Sequence, residues 1–285
     1  MITVKSVKSL QYKISKLKAN AHKIAFIPTM GALHAGHLSL VEAATKDGLV
    51  PVVSIFINPS QFNNKVDFKK YPRMVDQDTI LLKNSGCKLL FLPSVKEVYP
   101  LNFDPRIEID LEGLDELLEG VFRPGHFEGM LQVVKRLIDI VDPDFLYMGQ
   151  KDFQQHTLVG HMIRKLHLNC KLVIGPTLRE EDGLAMSSRN LRLTPEFRSK
   201  APIIYQSLLY AKKNLKENNS SQIKAEASSM IQESGLKLEY FEIVDGYNLS
   251  LVTDPKNHEY IVACVACWAG DIRLIDNIVI KGPSF

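Results

Sequence analysis

The sharpest pattern in the 285-residue chain lies near its start and reads Lys23-Ile24-Ala25-Phe26-Ile27-Pro28-Thr29-Met30-Gly31-Ala32-Leu33-His34-Ala35-Gly36-His37. The apolar run that ends at Pro28 is typical of a short buried strand. Residues 37–46 read as a helix that stops at Gly48. The stretch therefore predicts a strand, a loop and a helix in succession, which is how a βαβ unit begins.

The same alternation continues through the first part of the chain. Short apolar runs predict strands at residues 49–57, 88–92, 144–148 and 171–174, and helical patterns predict helices at 76–85, 128–141 and 153–167. Short strands that alternate with helices of about 10–15 residues indicate parallel βαβ units with right-handed crossovers. We therefore expect an α/β domain over residues 1–179, built on a Rossmann-like, doubly wound parallel sheet.

The pattern changes near Pro176. Thr194-Pro195-Glu196 is typical of a helix start, with threonine as the N-cap and proline in the first turn. Residues 238–244, 259–268 and 273–280 alternate like antiparallel strands. We expect residues 180–285 to form a smaller C-terminal α+β domain that acts as a lid.

The composition is that of an ordinary globular protein, with 45% hydrophobic and 24% charged residues. The formal net charge of +3 is too small to argue for a nucleic-acid partner. No apolar run approaches the about 20 residues that span a bilayer. The lysine-rich start faintly resembles a transit peptide, but apolar residues at helical spacing favour a basic amphipathic helix. These residues are Val7, Leu10, Ile14 and Leu17. We expect a cytoplasmic protein without a membrane or nucleic-acid partner.

Four cysteines lie in apolar runs, at positions 87, 170, 264 and 267, as is typical of reduced, buried thiols. Cys264 and Cys267 form a CxxC, but their surroundings read as a strand, in which residues three apart point to opposite faces. A second cysteine pair that would complete a zinc site is missing from the sequence. We predict a structural role for this pair and no metal-ligand set.

Four polar segments follow predicted strands, at residues 29–37, 58–62, 149–155 and 177–190. In a doubly wound sheet, ligands bind outside the carboxyl ends of the strands. These segments are far apart in sequence, yet the fold predicts that they meet around one crevice. Their convergence indicates a binding site more strongly than any single motif does.

The first segment carries a His-x-Gly-His motif at the start of a helix. His34 and His37 lie three residues apart and share one helix face, so both can approach an anion at the helix N-terminus. Gly31 and Gly36 let the backbone come close. Two imidazoles there can stabilise charge that develops as a phosphoanhydride bond breaks. The alternative is a helix-capping turn with one packed histidine.

The other segments carry side chains suited to phosphates and hydroxyl acids. Lys151 is a point charge that suits phosphate, and Ser187-Ser188-Arg189 offers hydroxyls and a forked guanidinium. Gln61 and Gln155 can donate and accept toward a polar substrate. Surface charges, turn residues and helix caps are the alternatives. Residues 123–127 read as a further loop, for which a structural role is favoured.

These motifs together resemble the pantothenate synthetases, or pantoate–β-alanine ligases, of the HIGH-type nucleotidyltransferase superfamily. The segments that carry the resemblance are Pro28-Thr29-Met30-Gly31-x-Leu33-His34-x-Gly36-His37, Asn58-Pro59-x-Gln61-Phe62, Gly149-x-Lys151-Asp152-Phe153-Gln154-Gln155 and Met186-Ser187-Ser188-Arg189-Asn190. The similarity extends to residues 271–277. One departure is Gln150, where the family commonly has glutamate.

The resemblance implies a two-step, ATP-dependent reaction. The carboxylate of (R)-pantoate attacks the α-phosphorus, which gives pantoyl adenylate and releases pyrophosphate. The amine of β-alanine then attacks the acyl carbon, which gives pantothenate and AMP. Mg²⁺ would accompany the triphosphate, and the family is typically a homodimer.

The resemblance also implies roles for individual residues. His37 would be the proton donor, His34 its companion on phosphate, and Lys151 a further phosphate ligand. Gln61 would contact pantoate and β-alanine, and Gln155 would hold pantoate. The ATP site would comprise Met30, Gly31, Ala32, Leu33, His34, Ala35, Gly36, His37, Gly149, Gln150, Lys151, Asp152, Leu178, Met186, Ser187, Ser188 and Arg189.

Three other interpretations stay open at this point. A nucleotidylyltransferase that moves AMP onto a phosphate shares the His-x-Gly-His motif. A class I aminoacyl-tRNA synthetase shares it too, but would need a longer chain with a tRNA-binding domain. A nucleotide sensor would bind ATP without releasing AMP.

Overall fold

Six strands form one parallel sheet within residues 1–61, 65–217 and 219–283, which the computed structural model describes. The strands are β1 (Ile2–Val4), β2 (Ile24–Thr29), β3 (Val50–Ile55), β4 (Leu89–Phe91), β5 (Phe145–Gly149) and β6 (Lys171–Gly175). Their order across the sheet is β1-β4-β3-β2-β5-β6. The chain runs outward from β2 in one direction and then returns to place β5 beside β2 on the other side. The carboxyl ends of β2 and β5 therefore form the switch point at which this kind of sheet binds ligands.

Helices connect the strands, as the alternating pattern predicts. They are α1 (Val7–Ala19), α2 (Ala35–Lys46), α3 (Lys65–Lys70), α4 (Val75–Asn84), α5 (Val95–Val98), α6 (Glu119–Phe122), α7 (His126–Val141) and α8 (Phe153–Lys165). On one face, Ile27, Val53 and Leu90 of three neighbouring strands pack with Val41 of α2 and Leu82 of α4. This buried layer fixes α2 against the sheet, and so fixes the loop that precedes α2.

The predicted Rossmann-like, doubly wound sheet is confirmed, and the predicted strands and long helices differ from the observed ones by only a few residues. The amphipathic first helix is confirmed as well, with Leu10 and Ile14 buried. Strand β1 was not predicted, because three residues are too few to show a period. The loop predicted at residues 123–127 is too long by two residues. Gly125 turns the chain with φ +76°, and α7 begins at His126.

The remaining part of the chain is a three-stranded antiparallel sheet with helices. Its elements are α9 (Pro195–Lys200), α10 (Ile203–Asn214), α11 (Ser220–Glu233), β7 (Lys237–Asp245), β8 (Ile261–Ala269) and β9 (Ile272–Lys281). The strand order is β7-β8-β9. Thr194 caps α9 as predicted, since its side chain accepts the N–H of Phe197. Leu208, Ile231 and Val265 lie in one core that joins the sheet to α10 and α11.

Both cysteines of the CxxC lie on β8, as predicted for a strand. Cys267 lies in the core shared with the helices, and Cys264 does not, because residues three apart point to opposite faces. All four cysteines are buried, and none forms a disulfide. The predicted strand placement of the CxxC is therefore confirmed, and its structural role stays a prediction.

The chain packs into two compact units. One comprises residues 1–149 and 154–175, and the other comprises residues 150–153 and 176–285. The short segment Gln150–Phe153 thus packs with the antiparallel sheet rather than with the strand that precedes it. The predicted domain boundary at residue 180 stays a prediction, because packing does not measure independent folding. Within the described ranges, no helix has both the length and the apolar character that crossing a bilayer requires.

Candidate active site

The loop after β2 has a backbone that few residues can adopt. Gly31 has φ +82° and Ala32 has φ +50°. A Cβ at position 31 would lie 3.0 Å from Oδ2 of Asp78 and 3.0 Å from Cγ2 of Ile55. Thr29 stabilises the turn, since its hydroxyl accepts the N–H of Gly31 and donates to the carbonyl of Ser54. Glycine at position 31 is therefore required by both conformation and space.

Asp78, on the first turn of α4, holds this loop from the side. Its Oδ2 accepts the N–H of Ala32 at 2.9 Å, and its Oδ1 accepts the N–H of Leu33 at 2.7 Å. The side chain is 1% exposed. A buried carboxylate with two N–H donors is a strong, directional anchor. The sequence motifs did not identify Asp78, because nothing in a local pattern relates it to a loop 45 residues away.

His34 and His37 both take part in capping α2. Nδ1 of His34 accepts the N–H of Gly36 at 3.2 Å, and Nδ1 of His37 accepts the N–H of His34 at 3.3 Å. The ring centroids lie 4.1 Å apart. A ring nitrogen that accepts a hydrogen bond carries no proton, so each ring carries its proton on Nε2. The start of α2 therefore carries two Nε2–H donors, and the helix dipole favours an anion at this end of the helix.

The segment after β3 packs against the start of α7. Asn58 is 1% exposed, and its amide donates to the carbonyl of Gly129 at 3.0 Å. A Cβ on Gly129 would lie 2.5 Å from the carbonyl oxygen of Ser60, so the two backbones touch. Nδ1 of His126 lies 2.8 Å from the carbonyl oxygen of Gln61 and donates to it, because a carbonyl only accepts.

This packing buries Gln61, which is 8% exposed. His126 is 4% exposed and therefore positions Gln61 from inside the protein. Sequence analysis placed His126 in a loop without a role. Phe62, the last residue of the Asn58 motif, lies outside the described residues.

The two glutamines at the start of α8 differ in their surroundings. Gln154 is 3% exposed and uses its whole amide internally. Its oxygen accepts the N–H of Glu119 at 2.9 Å, and its nitrogen donates to the carbonyls of Leu114 and Leu117. Gln155 is half-buried. Gln154 therefore has a structural role, and Gln155 is the glutamine that remains for a ligand.

The turn Gln150–Asp152 is held by a residue of β9. The side-chain nitrogen of Asn277 donates to the carbonyls of Gln150 and Lys151, at 3.0 and 2.9 Å. The Gln150 amide donates in return to Oδ1 of Asn277 at 3.0 Å. Lys151 is half-buried and Asp152 is exposed. The glutamine at position 150, the one departure from the family pattern, is thus half of a buried amide pair.

The segment that carries the two serines begins as a narrow hairpin. Arg179 forms an antiparallel bridge with Ala185, and the N–H of Met186 donates to the carbonyl of Leu178 at 3.0 Å. Ser187 then caps a short 3-10 helix, Ser188–Arg192, by accepting the N–H of Arg189. The 3-10 helix starts with Ser188, which is buried.

Within the described residues, three ion pairs, made by two arginines, stabilise this hairpin. At its base, Arg179 pairs with Asp276 at 2.6 Å. Further out, Arg198 pairs with Glu180 at 2.7 Å and with Asp182 at 2.5 Å. Hydrogen bonding to Arg198 lowers the pKa of the Asp182 carboxyl, although burial opposes this shift. The hairpin is therefore a braced element rather than an open loop.

The predicted site residues fall into both units. Those in the first unit are Met30, Gly31, Ala32, Leu33, His34, Ala35, Gly36, His37, Gln61, Gly149 and Gln155. Those in the second unit are Gln150, Lys151, Asp152, Leu178, Met186, Ser187, Ser188 and Arg189. Sequence reasoning missed Asp78, His126, Arg179 and Asn277, which hold these segments. Of these, only Asn277 could have been found from the sequence, because it is one of two adjacent polar residues in an otherwise apolar strand. In the described part of the chain, no three His, Cys, Asp or Glu side chains gather in a way that could hold a metal ion.

A doubly wound parallel sheet with a His-x-Gly-His helix start at its switch point defines an ATP-using enzyme of the adenylyl-transfer class. Basic and hydroxyl side chains on separate braced segments fit the same class, because they suit phosphate oxygens.

Comparison with known proteins identifies the family. The family model described as pantoate–β-alanine ligase matches residues 2–279, and the chain belongs to this family. It is an ATP-dependent ligase that joins pantoate to β-alanine to give pantothenate. The resemblance drawn from the motifs is therefore confirmed.

Relatives and solved structures agree with this assignment over the full chain. A pantothenate synthetase of Bacteroides thetaiotaomicron is 44% identical over 282 residues, which covers 99% of each chain. The structure of pantothenate synthetase from Thermus thermophilus matches with a TM-score of 0.88 at 38% identity, covering 99% of this chain and 100% of that one. A pantoate–β-alanine ligase from Francisella tularensis, solved complexed with beta-gamma ATP and beta-alanine, gives 0.81 at 37% identity over the whole of both chains.

Proposed function

We propose that this chain makes pantothenate in two steps at the residues described above. In the first step, a carboxylate oxygen of (R)-pantoate bonds to the α-phosphorus of ATP. The bond from that phosphorus to the bridging oxygen breaks, and pyrophosphate leaves. In the second step, the amine of β-alanine bonds to the acyl carbon of pantoyl adenylate, the acyl–oxygen bond breaks, the nitrogen loses a proton, and AMP leaves.

The two imidazoles at the start of α2 carry this proposal. Their Nδ1 atoms accept backbone N–H groups, so both rings have Nε2–H donors. His37 donates toward the phosphate as negative charge moves onto the leaving pyrophosphate, and His34 binds phosphate beside it. Donors that are already oriented stabilise such charge without the cost of reorienting. Gly31, in the loop before α2, and Gly36, in the first turn of α2, let the backbone of Met30–Gly36 approach the nucleotide.

Residues of the second unit bind the rest of the ATP. Lys151 supplies a point charge for phosphate oxygens, and Arg189 supplies a planar fork. Ser187 and Ser188 donate hydroxyls. The remaining proposed contacts come from Gln150, Asp152, Leu178 and Met186 of this unit, and from Gly149 of the first unit. Mg²⁺ enters as part of the MgATP substrate, with phosphate oxygens and water as its ligands.

Gln61 and Gln155 are the proposed residues for the two acids. Within the described residues, neither side chain makes a hydrogen bond, although Gln61 is nearly buried. Because these amides make no hydrogen bond within the described chain, both can bind a ligand. Pantoate has hydroxyl and carboxylate groups that can both donate to and accept from these amides.

The mechanism needs no covalent nucleophile, because the substrate carboxylate is itself the nucleophile. Catalysis then depends on holding two anions in line and on neutralising their repulsion. Residues 180–285 form a lid that shields the adenylate from water until the amine arrives. The family resemblance, which is typical of homodimers, supports a homodimer built on the first unit. Four buried cysteines that form no disulfide support a cytoplasmic location.

Three measurements test the proposal. The chain should catalyse pyrophosphate exchange into ATP only when pantoate is present, and release AMP at full rate only when β-alanine is added. His37→Ala should lower AMP release by about 100-fold or more, as removal of one oriented donor does elsewhere. Exchange without pantoate would favour a nucleotidylyltransferase instead. Equal AMP release by wild type and His37→Ala would refute the role of His37. Light scattering of the purified protein tests the dimer.

A further inference from the structure

We propose that Asp276 and Asn277, on β9, are positioning residues that hold both phosphate-binding segments of the second unit. The first segment is the turn Gln150–Asp152, which carries Lys151. The second is the hairpin that leads into Ser187–Arg189. This inference rests on the proposed function, because it assumes that these segments bind ATP.

Asn277 holds the first segment. It is 3% exposed, and its side-chain nitrogen donates to the carbonyls of both Gln150 and Lys151. Its oxygen accepts the amide of Gln150, which is 5% exposed. Lysine has a long flexible stem, so the direction in which its charge reaches depends on where its backbone is fixed. Asn277 fixes that backbone on the carbonyl side of the lysine.

Asp276 holds the second segment through Arg179. Its carboxylate pairs with both terminal nitrogens of Arg179, at 2.6 and 3.1 Å. The guanidinium also donates to the carbonyl of Gly183 at 3.1 Å, and it lies 3.8 Å above the ring of Tyr205. Arg179 is on the first arm of the hairpin and Gly183 ends its turn, so one guanidinium ties the arm to the turn.

Adjacent residues of a strand point to opposite faces, which explains how one strand reaches two segments. Two further hydrogen bonds connect the Asn277 interactions with those of Asp276 and Arg179. The N–H of Asn277 donates to Oδ1 of Asp276 at 2.8 Å, and Arg179 donates to the carbonyl of Asn277 at 3.3 Å. The two segments are therefore joined through this residue pair.

Stability alone does not account for two buried polar residues here. Burial raises the pKa of the Asp276 carboxyl, and the guanidinium of Arg179 opposes that rise. Buried ion pairs contribute little net stability compared with apolar residues of similar volume. Ile275 and Ile278 flank the pair, so apolar residues fit this strand. What Asp276 and Asn277 add is a fixed backbone position for the segments that carry Lys151 and Arg189.

A double-mutant cycle in the full-length chain tests the arm that holds Lys151. Asn277→Ala should lower kcat/KM for ATP in pantoate-dependent pyrophosphate exchange by about tenfold or more, the effect of losing about two hydrogen bonds. The KM for pantoate should stay within about twofold. In a Lys151→Ala background, the same substitution should have less than about a threefold effect, because the lysine it positions is gone. Asn257→Ala, an exposed asparagine of the same unit, is the matched control.

Each result decides between distinct conclusions. An equal effect of Asn277→Ala in both backgrounds would show a merely structural role and overturn the inference. If Lys151→Ala alone left exchange unchanged, the proposed role of Lys151 would fail first, and the inference with it. If Asn277→Ala does not fold, Asn277→Ser, which keeps one donor, takes its place in the same cycle. A second double-mutant cycle, with Arg179→Lys and Arg189→Ala, tests the hairpin in the same way. Arg179→Lys should have a smaller effect on kcat/KM for ATP when Arg189 is already replaced.

Discussion

The carboxylate of Asp78 and the backbone of Leu33 meet through a 2.7 Å hydrogen bond that spans 45 residues of sequence. The other oxygen of Asp78 accepts the N–H of Ala32. One buried side chain thus fixes the loop immediately before His34. The position of the two imidazoles that we propose for catalysis therefore depends on α4 as well as on their own helix.

Replacing this carboxylate should impair ATP use. Asn at position 78 keeps one accepting oxygen but turns an NH₂ group toward the second backbone N–H. Loss of a charge-assisted hydrogen bond costs about 1.5–3 kcal/mol, so Asp78→Asn should lower kcat/KM for ATP by about 10- to 100-fold. Steady-state pyrophosphate exchange measures this. Asp76→Asn, an exposed acid on the same helix, should have no effect. Wild-type kinetics for Asp78→Asn would show that the loop does not need this anchor.

The local parts of this site were predictable, because they depend on neighbouring residues. Pro28 ends a strand and His37 lies one turn into a helix, and both facts follow from spacing within about ten residues. The parallel sheet was predictable for the same reason, since each βαβ unit shows its period in sequence. Gly31 was identified as a position of close backbone approach, and its positive φ agrees with that.

The supports of the site were not predictable, because they are made by tertiary packing. Asn277 contacts a turn 126 and 127 residues away, and His126 contacts a carbonyl 65 residues away. No spacing rule relates such partners. The start of α7 was misplaced because Gly125 adopts a left-handed conformation that its neighbours do not reveal. Sequence motifs thus point to candidate ligand-binding groups but not to the distant groups that hold them in place.

His126 should matter for the acid substrates rather than for ATP. Its Nδ1–H donates to the carbonyl of Gln61, and a phenylalanine would leave that carbonyl buried without a donor. An unsatisfied buried acceptor costs about 1–3 kcal/mol. His126→Phe should therefore raise the KM for pantoate by about tenfold, with the KM for ATP within about twofold. Initial-rate kinetics with each substrate varied in turn measure the two constants.

His161 provides a matched control for that experiment. It is 4% exposed, and its Nε2 makes a 2.8 Å hydrogen bond to the carbonyl of Asp110. His161→Phe should lower thermal stability but leave the KM for pantoate unchanged. If both variants raised this KM equally, the effect would reflect general loosening and not the positioning of Gln61.

The cysteines should be unreactive in the folded protein. Burial raises the pKa of both Cys87 and Cys267 to about 12, so neither thiol ionises near neutral pH. Only the thiolate attacks a disulfide reagent. At pH 8, Ellman's reagent should label less than about one thiol per native chain quickly, and four after unfolding in guanidinium. Rapid labelling of two thiols in the native state would contradict the structural interpretation of the CxxC on β8.

Stability should fall with pH below neutrality because of His156. Burial lowers the pKa of this imidazole from 6.5 to about 3, so the folded chain leaves it neutral across mildly acidic pH. The unfolded chain takes up the proton near pH 6.5, and therefore binds more protons than the folded chain between about pH 6.5 and pH 3. In that window the free energy of unfolding should decrease by about 1.4 kcal/mol per pH unit as the pH falls.

His156→Gln removes this titration, so the variant should lose less stability than wild type between pH 7 and pH 5. Urea unfolding at several pH values in this range gives the two slopes. His22→Gln, which changes an exposed histidine, should follow the wild-type pH dependence. Parallel slopes for wild type and His156→Gln would mean that His156 takes up its proton in the folded protein as readily as in the unfolded chain. The burial of α8 would then be too loose to exclude the charge.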